Sequence, residues 1–134
     1  MIADSTMLPS HQLFFAKQGL DVTGYNYSNP ELNLSLNHAY VTWEKRNLQF
    51  RRAMIGVGLS VVFFTLYAVH HKNEPEPPYS YPEEPLGWIF LDPFLATMGG
   101  IMGAISVGNL VSGLENDRKL NKEIEHARKY LMTQ

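Results

Sequence analysis

The sequence predicts an all-α membrane protein: a two-transmembrane helical hairpin with helical extensions on the side of both termini and an extended Pro-rich loop between the spans. Three observations lead there. Residues 53–70 and 94–114 are apolar runs without a single Asp, Glu, Lys or Arg. Between them, Pro75, Pro77, Pro78, Pro82 and Pro85 interrupt an acidic stretch. Lysine and arginine crowd on the outer flanks of the runs and almost vanish from the segment that joins them.

Residues 1–29 read as an extended N-terminal segment. Gly19, Gly24 and scattered Tyr, Asn and Ser show no sustained period, so order is expected only from a partner. Asp4 and a lone strong base, Lys17, in the first 20 residues fit neither a secretory signal nor a transit peptide, and any targeting signal is expected to be internal. Residues 30–70 read as one amphipathic helix leading into the first span at 53–70. Asn29, Pro30 and Glu31 give a helix start, and Leu36, Tyr40, Trp43 and Phe50 share one stripe. The uncharged part covers about 26 Å of helix against a hydrocarbon core of about 30 Å. Arg51 and Arg52 at one end and Tyr67, His70, His71 and Lys72 at the other extend it by snorkelling.

Residues 71–92 form the acidic Pro-rich loop, expected to follow a polyproline-like path. Tyr79 and Tyr81 are its candidate docking anchors, against the plainer reading of a surface connector. The second span, 93–114, is expected to begin with Asp92 as N-cap and Pro93 at the first helical position, with Trp88 and Phe90 as an interfacial aromatic belt. In residues 115–134, Leu120, Ile124, Ala127 and Leu131 recur at intervals of four, three and four, the seam of an amphipathic helix. That seam is too short to associate alone and requires a neighbour.

Charge sets the orientation. Lys17, Lys45, Arg46, Arg51 and Arg52 precede the first span, and Arg118, Lys119, Lys122, Arg128 and Lys129 follow the second. The connecting segment has Lys72 alone against Glu74, Glu76, Glu83, Glu84 and Asp92. Because short loops rich in lysine and arginine stay on the cytoplasmic-type side, both termini are placed together and the loop opposite. For a mitochondrial inner membrane this means termini in the matrix and loop in the intermembrane space.

Several chemistries are excluded by composition. A net charge of -2 without any long basic run argues against nucleic acid, and the absence of cysteine removes disulfides, thiolate metal sites and thiol catalysis. No phosphate-binding glycine loop, nucleophile elbow or zinc spacing occurs, so no catalytic residue, metal, cofactor or small-molecule substrate is expected. Neither span holds the ionisable relay of a pump or carrier. The candidate residues serve association instead. Gly99, Gly100, Gly103, Ala104, Gly108, Asn109 and Ser112 form a small-residue packing face on the second span, with Ala53, Gly56 and Ser60 as a counterpart on the first. Asn109 is expected to bond across a helix interface, and His70 and His71 to act as polar anchors. Lys45, Arg46, Arg51, Arg52, Arg118 and Lys119 are candidate contacts for an anionic phospholipid such as cardiolipin, weighed against charge that merely sets topology.

In format the chain resembles accessory subunits of organellar energy-converting complexes, which are small, cysteine-free and built of one or two spans with long helical extensions. That resemblance implies a non-catalytic supernumerary subunit of a respiratory-chain complex or ATP synthase, packing on other membrane subunits through the second span, loop and termini. The alternatives are an assembly or membrane-shaping factor that self-associates through the second span, and a subunit of an endoplasmic-reticulum membrane complex with the same topology.

Overall fold

A computed structural model describes residues 8–22, 29–73 and 86–132, without the side chains of 86–89. These residues form three helices: α1 (Pro9–Lys17), α2 (Pro30–Lys72) and α3 (Leu86–Met132). The expected docking loop at 74–85, with Tyr79 and Tyr81, and the belt residue Trp88 lie outside what is described. Both α2 and α3 contain stretches long and apolar enough to cross a membrane. The chain divides into two units, Met1–Leu48 with Ser112–Gln134, and Gln49–Val111.

The first unit has its own core. Leu32, Leu36 and Ala39 of α2 and Leu120, Ile124 and Ala127 of α3 are buried, each set at intervals of four and three. That spacing keeps one stripe facing inward on each helix. Phe14 and Phe15 of α1, with Leu20 and Val22 just beyond it, complete the core, and Tyr40, Trp43, Tyr130 and Leu131 pack around it. The seam at Leu120 is thus covered within its own unit. Phe14 stacks obliquely on Trp43 with centroids 4.9 Å apart and meets Tyr40 edge-on at 5.7 Å.

Helix α1 corrects the expectation of an extended segment over 1–29. Pro9 occupies its first turn, and Gly19, at φ 71°, ends it in the left-handed conformation. The Leu20 amide donates to the Phe15 carbonyl at 3.0 Å and the Gly19 amide to that of Ala16 at 3.0 Å, a Schellman pair that satisfies the last carbonyls. Helix α2 starts as expected at its N-cap: Asn29 Oδ1 accepts from the amides of Glu31 at 3.0 Å and Leu32 at 3.3 Å.

The second unit pairs the apolar halves of α2 and α3. Residue pairs 56 with 106, 60 with 99 and 70 with 92 show the two segments running antiparallel. Here the expected start of the second span is corrected. The helix begins at Leu86, and Pro93 sits inside it. Residues 86–92 therefore belong to the helix and not to the loop. A proline at 93 denies the Ile89 carbonyl its helical donor, a defect tolerated in apolar helices where neighbouring groups compensate.

Candidate functional site

The packing of the second unit is decided where side chains are smallest. A Cβ added at Gly56 would collide with Ser106 Oγ and stand 3.3 Å from the Met102 carbonyl oxygen. At Gly99 it would stand 3.1 Å from the Phe64 ring, and at Gly103 3.4 Å from Ser60 Oγ. Close approach lets Ser60 Oγ donate across the pair to the Gly99 carbonyl at 2.9 Å. Ser106 is buried and donates to the Met102 carbonyl of its own helix at 2.6 Å. The interior seam is therefore Gly56, Ser60 and Phe64 against Gly99, Gly103 and Ser106, with Ala53 and Leu95 also buried.

The predicted packing residues consequently divide. Gly99 and Gly103 lie on the seam, whereas Gly100 and Gly108 have no atom within 4 Å of an added Cβ and Ala104 is exposed. Asn109 is half-buried and donates to the Ile105 carbonyl one turn back at 2.9 Å, so its bond lies within its helix and not across an interface. Ser112 falls in the first unit, half-buried.

The basic residues divide as well. Arg46 is committed to Asp117 through a 2.6 Å charge-assisted bond, reinforced by a 3.3 Å bond to Asn47. Lys119 pairs with Glu115 one turn earlier at 2.8 Å, holding that carboxyl below its ordinary range. Lys45, Arg51, Arg52 and Arg118 are exposed. Elsewhere in the first unit the Tyr130 hydroxyl donates to Glu31 Oε2 at 2.8 Å, and Ser35 Oγ to the Glu123 backbone and carboxylate at 3.3 and 3.4 Å. Glu31, by hydrogen bond and charge, raises the Tyr130 pKa, with burial adding to it.

His70 and His71 hold Asp92 between them. His70 Nδ1 lies 2.6 Å from Oδ1 and His71 Nδ1 3.2 Å from Oδ2. The His70 and Asp92 side chains are only 15% and 14% exposed, so the pair is sheltered. Asp92 is therefore not a cap. Burial would raise its pKa, but the hydrogen bonds and charges of the two histidines outweigh burial and lower it. The sequence signals for this clasp were present in the His-His pair and the acid before the second apolar run, but pairing them requires the antiparallel register. Ser106 carried no signal of its own beyond being small.

Among the described residues no cluster of His, Cys, Asp or Glu is arranged to hold a metal ion. No protein-family model, curated protein or solved structure matches the chain.

Proposed function

We propose that this chain is an integral membrane, non-catalytic accessory subunit of a large mitochondrial inner-membrane energy-converting complex, a respiratory-chain complex or ATP synthase, that stabilises its neighbours by packing. The observation carrying this reading is the surplus of apolar surface. Only 11% of the most apolar stretch of α2 and 17% of that of α3 is buried within the protein. A helix from a soluble core hides most of its apolar side chains, whereas Met54, Val61, Val62, Ile105, Val107 and Val111 are all exposed. Lipid and neighbouring spans are the media that accept such a surface.

Two features support the subunit role within that reading. Gly100, Ala104 and Gly108 repeat every fourth residue on α3 away from the internal seam, which suits close approach of a further helix. Outside the apolar stretches, the first unit is a small folded body whose exposed Leu8, Leu13 and Leu34 suit contact with an adjoining subunit. The charge distribution supports termini in the matrix and the loop in the intermembrane space, and the exposed Lys45, Arg51, Arg52 and Arg118 suit anionic lipid heads.

Native-gel complexome profiling of the tagged chain tests the role. Constant comigration with one mature complex is the expected result. A profile confined to immature complexes, or homo-oligomers abolished by Gly100→Leu with Gly108→Leu, would favour the second reading, a self-associating assembly or membrane-shaping factor on the same open face.

A further inference from the structure

We infer that His70, His71 and Asp92 form a proton-operated latch across a proline hinge: protonated histidines hold the first turns of α3, residues 86–92, against the end of α2, and loss of the protons releases them. Two observations on the second unit carry this. The first is where the segment is held. Phe90, Leu91 and Phe94 are exposed, and Asp92 alone among the described side chains from 90 to 94 is partly buried, with His70 Nδ1 at 2.6 Å and His71 Nδ1 at 3.2 Å. The second is the residue that follows. Pro93 removes a helical hydrogen bond at the Ile89 carbonyl, and helices bend at such positions. Beyond it α3 is anchored independently, through the buried Leu95 and the Ser60 bond to the Gly99 carbonyl.

The ring charge supplies the switch. An ionised carboxylate only accepts, so each Nδ1 that faces it carries a hydrogen, and the removable proton is the one on Nε2. Its removal keeps the hydrogen bond but ends the attraction between unit charges and leaves a sheltered carboxylate uncompensated. Histidine ordinarily changes charge between about pH 5 and 8, and aspartate stays ionised throughout that window. The latch is therefore tight at the acid end of the window and loosens as pH rises through it. His70, 15% exposed, dominates, whereas His71, 61% exposed, is screened by solvent and stacks on Tyr67 with centroids 5.6 Å apart. Besides the histidines, the ionisable groups of the facing segments 66–73 and 90–95 are Tyr67, Lys72 and Asp92, and Glu74, Glu76, Glu83 and Glu84 belong to the connection; these types ordinarily keep their charge state across the window. Residues 74–85 join the two latched ends, so release widens the span they bridge.

The natural absence of cysteine allows spin labels at the exposed positions Asn73→Cys and Phe90→Cys of the full chain in detergent, with Val57→Cys and Ile105→Cys as a reference pair farther along the two helices. Between about pH 5 and about pH 8, dipolar spectroscopy should show the latched-to-open ratio of the first pair falling about tenfold, between the effects of exposed and buried ion pairs, with the reference pair unchanged. Asp92→Asn should remove the pH dependence, His70→Gln should reduce it more than His71→Gln, and Pro93→Ala should shorten the open distance. A first pair indifferent to pH, a pH dependence that survives Asp92→Asn, or equal separation of the reference pair would each overturn the latch. An open distance unaltered by Pro93→Ala would overturn the hinge.

Discussion

Gly56 shows how much a single missing atom decides. The Ser106 hydroxyl occupies the space a Cβ would need and the Met102 carbonyl oxygen stands 3.3 Å from it, so a bulky side chain there drives the α2 and α3 segments of the second unit apart. Gly56→Leu is expected to destabilise that pairing by about 1–3 kcal/mol, read from unfolding in detergent, because a leucine still meets the Met102 backbone when the hydroxyl turns aside. Gly100→Leu and Gly108→Leu, with open space around them, should leave the isolated chain within about 0.5 kcal/mol of wild type. The spacing of small residues was legible in the sequence, but the choice of face was not. Adjacent residues lie about 100° apart on a helix of 3.6 residues per turn, so the row of Gly99 and Gly103 faces the seam while the row of Gly100 and Gly108 turns away. Asn109 shows the same limit, since an amide bonds its own helix as readily as a neighbour when Ile105 offers a carbonyl at 2.9 Å. Two ionisations give further tests. Tyr130 has a raised pKa in the folded state, so its contribution is complete below the ordinary tyrosine value and is lost as pH rises through the raised one. Alkaline melts of wild type should therefore fall faster than those of Tyr130→Phe. Asp92 has a lowered pKa, so its contribution holds above the ordinary aspartate value and fades as pH falls through the lowered one. Asp92→Asn should flatten that acid dependence.

At the scale of elements, α1 was the feature least visible in sequence, although its signals were present. Pro9 followed ten residues later by Gly19 is a start and stop pattern, but nine residues carrying three apolar side chains besides alanine give no convincing period. The helix exists because the first unit supplies a core for Phe14 and Phe15. Gly19 closes it at φ 71°, where a Cβ costs about 1–2 kcal/mol, so Gly19→Val should raise hydrogen exchange at the Leu20 amide, which bonds Phe15. Unchanged exchange would show that α1 needs no such cap. The start of α2 was legible because Asn29 and Pro30 act through local chemistry alone. The start of α3 was not. Asp92 and Pro93 make a good local cap, yet the histidines of α2 claim Asp92 and the helix extends back to Leu86. A tertiary partner outcompetes a local signal there.

For the whole molecule, the helical class and two apolar helices able to cross a membrane follow from blocks of composition that no local rearrangement erases. Each unit has its own means of cohesion: aromatic and leucine packing in the first, glycine and serine contacts in the second. This division fits the proposed membrane reading. Water drives burial of large apolar side chains, whereas lipid rewards only close packing and satisfied polar groups. The proposed topology has the second unit spanning a bilayer with residues 74–85 on one side and both termini on the other. The natural absence of cysteine makes the test direct. Single substitutions Ser5→Cys, Ser80→Cys and Thr133→Cys, probed with a membrane-impermeant maleimide in sealed vesicles of known orientation, should label Ser80→Cys from one side and the other two from the opposite side. Labelling of all three from the same side in intact vesicles would contradict it.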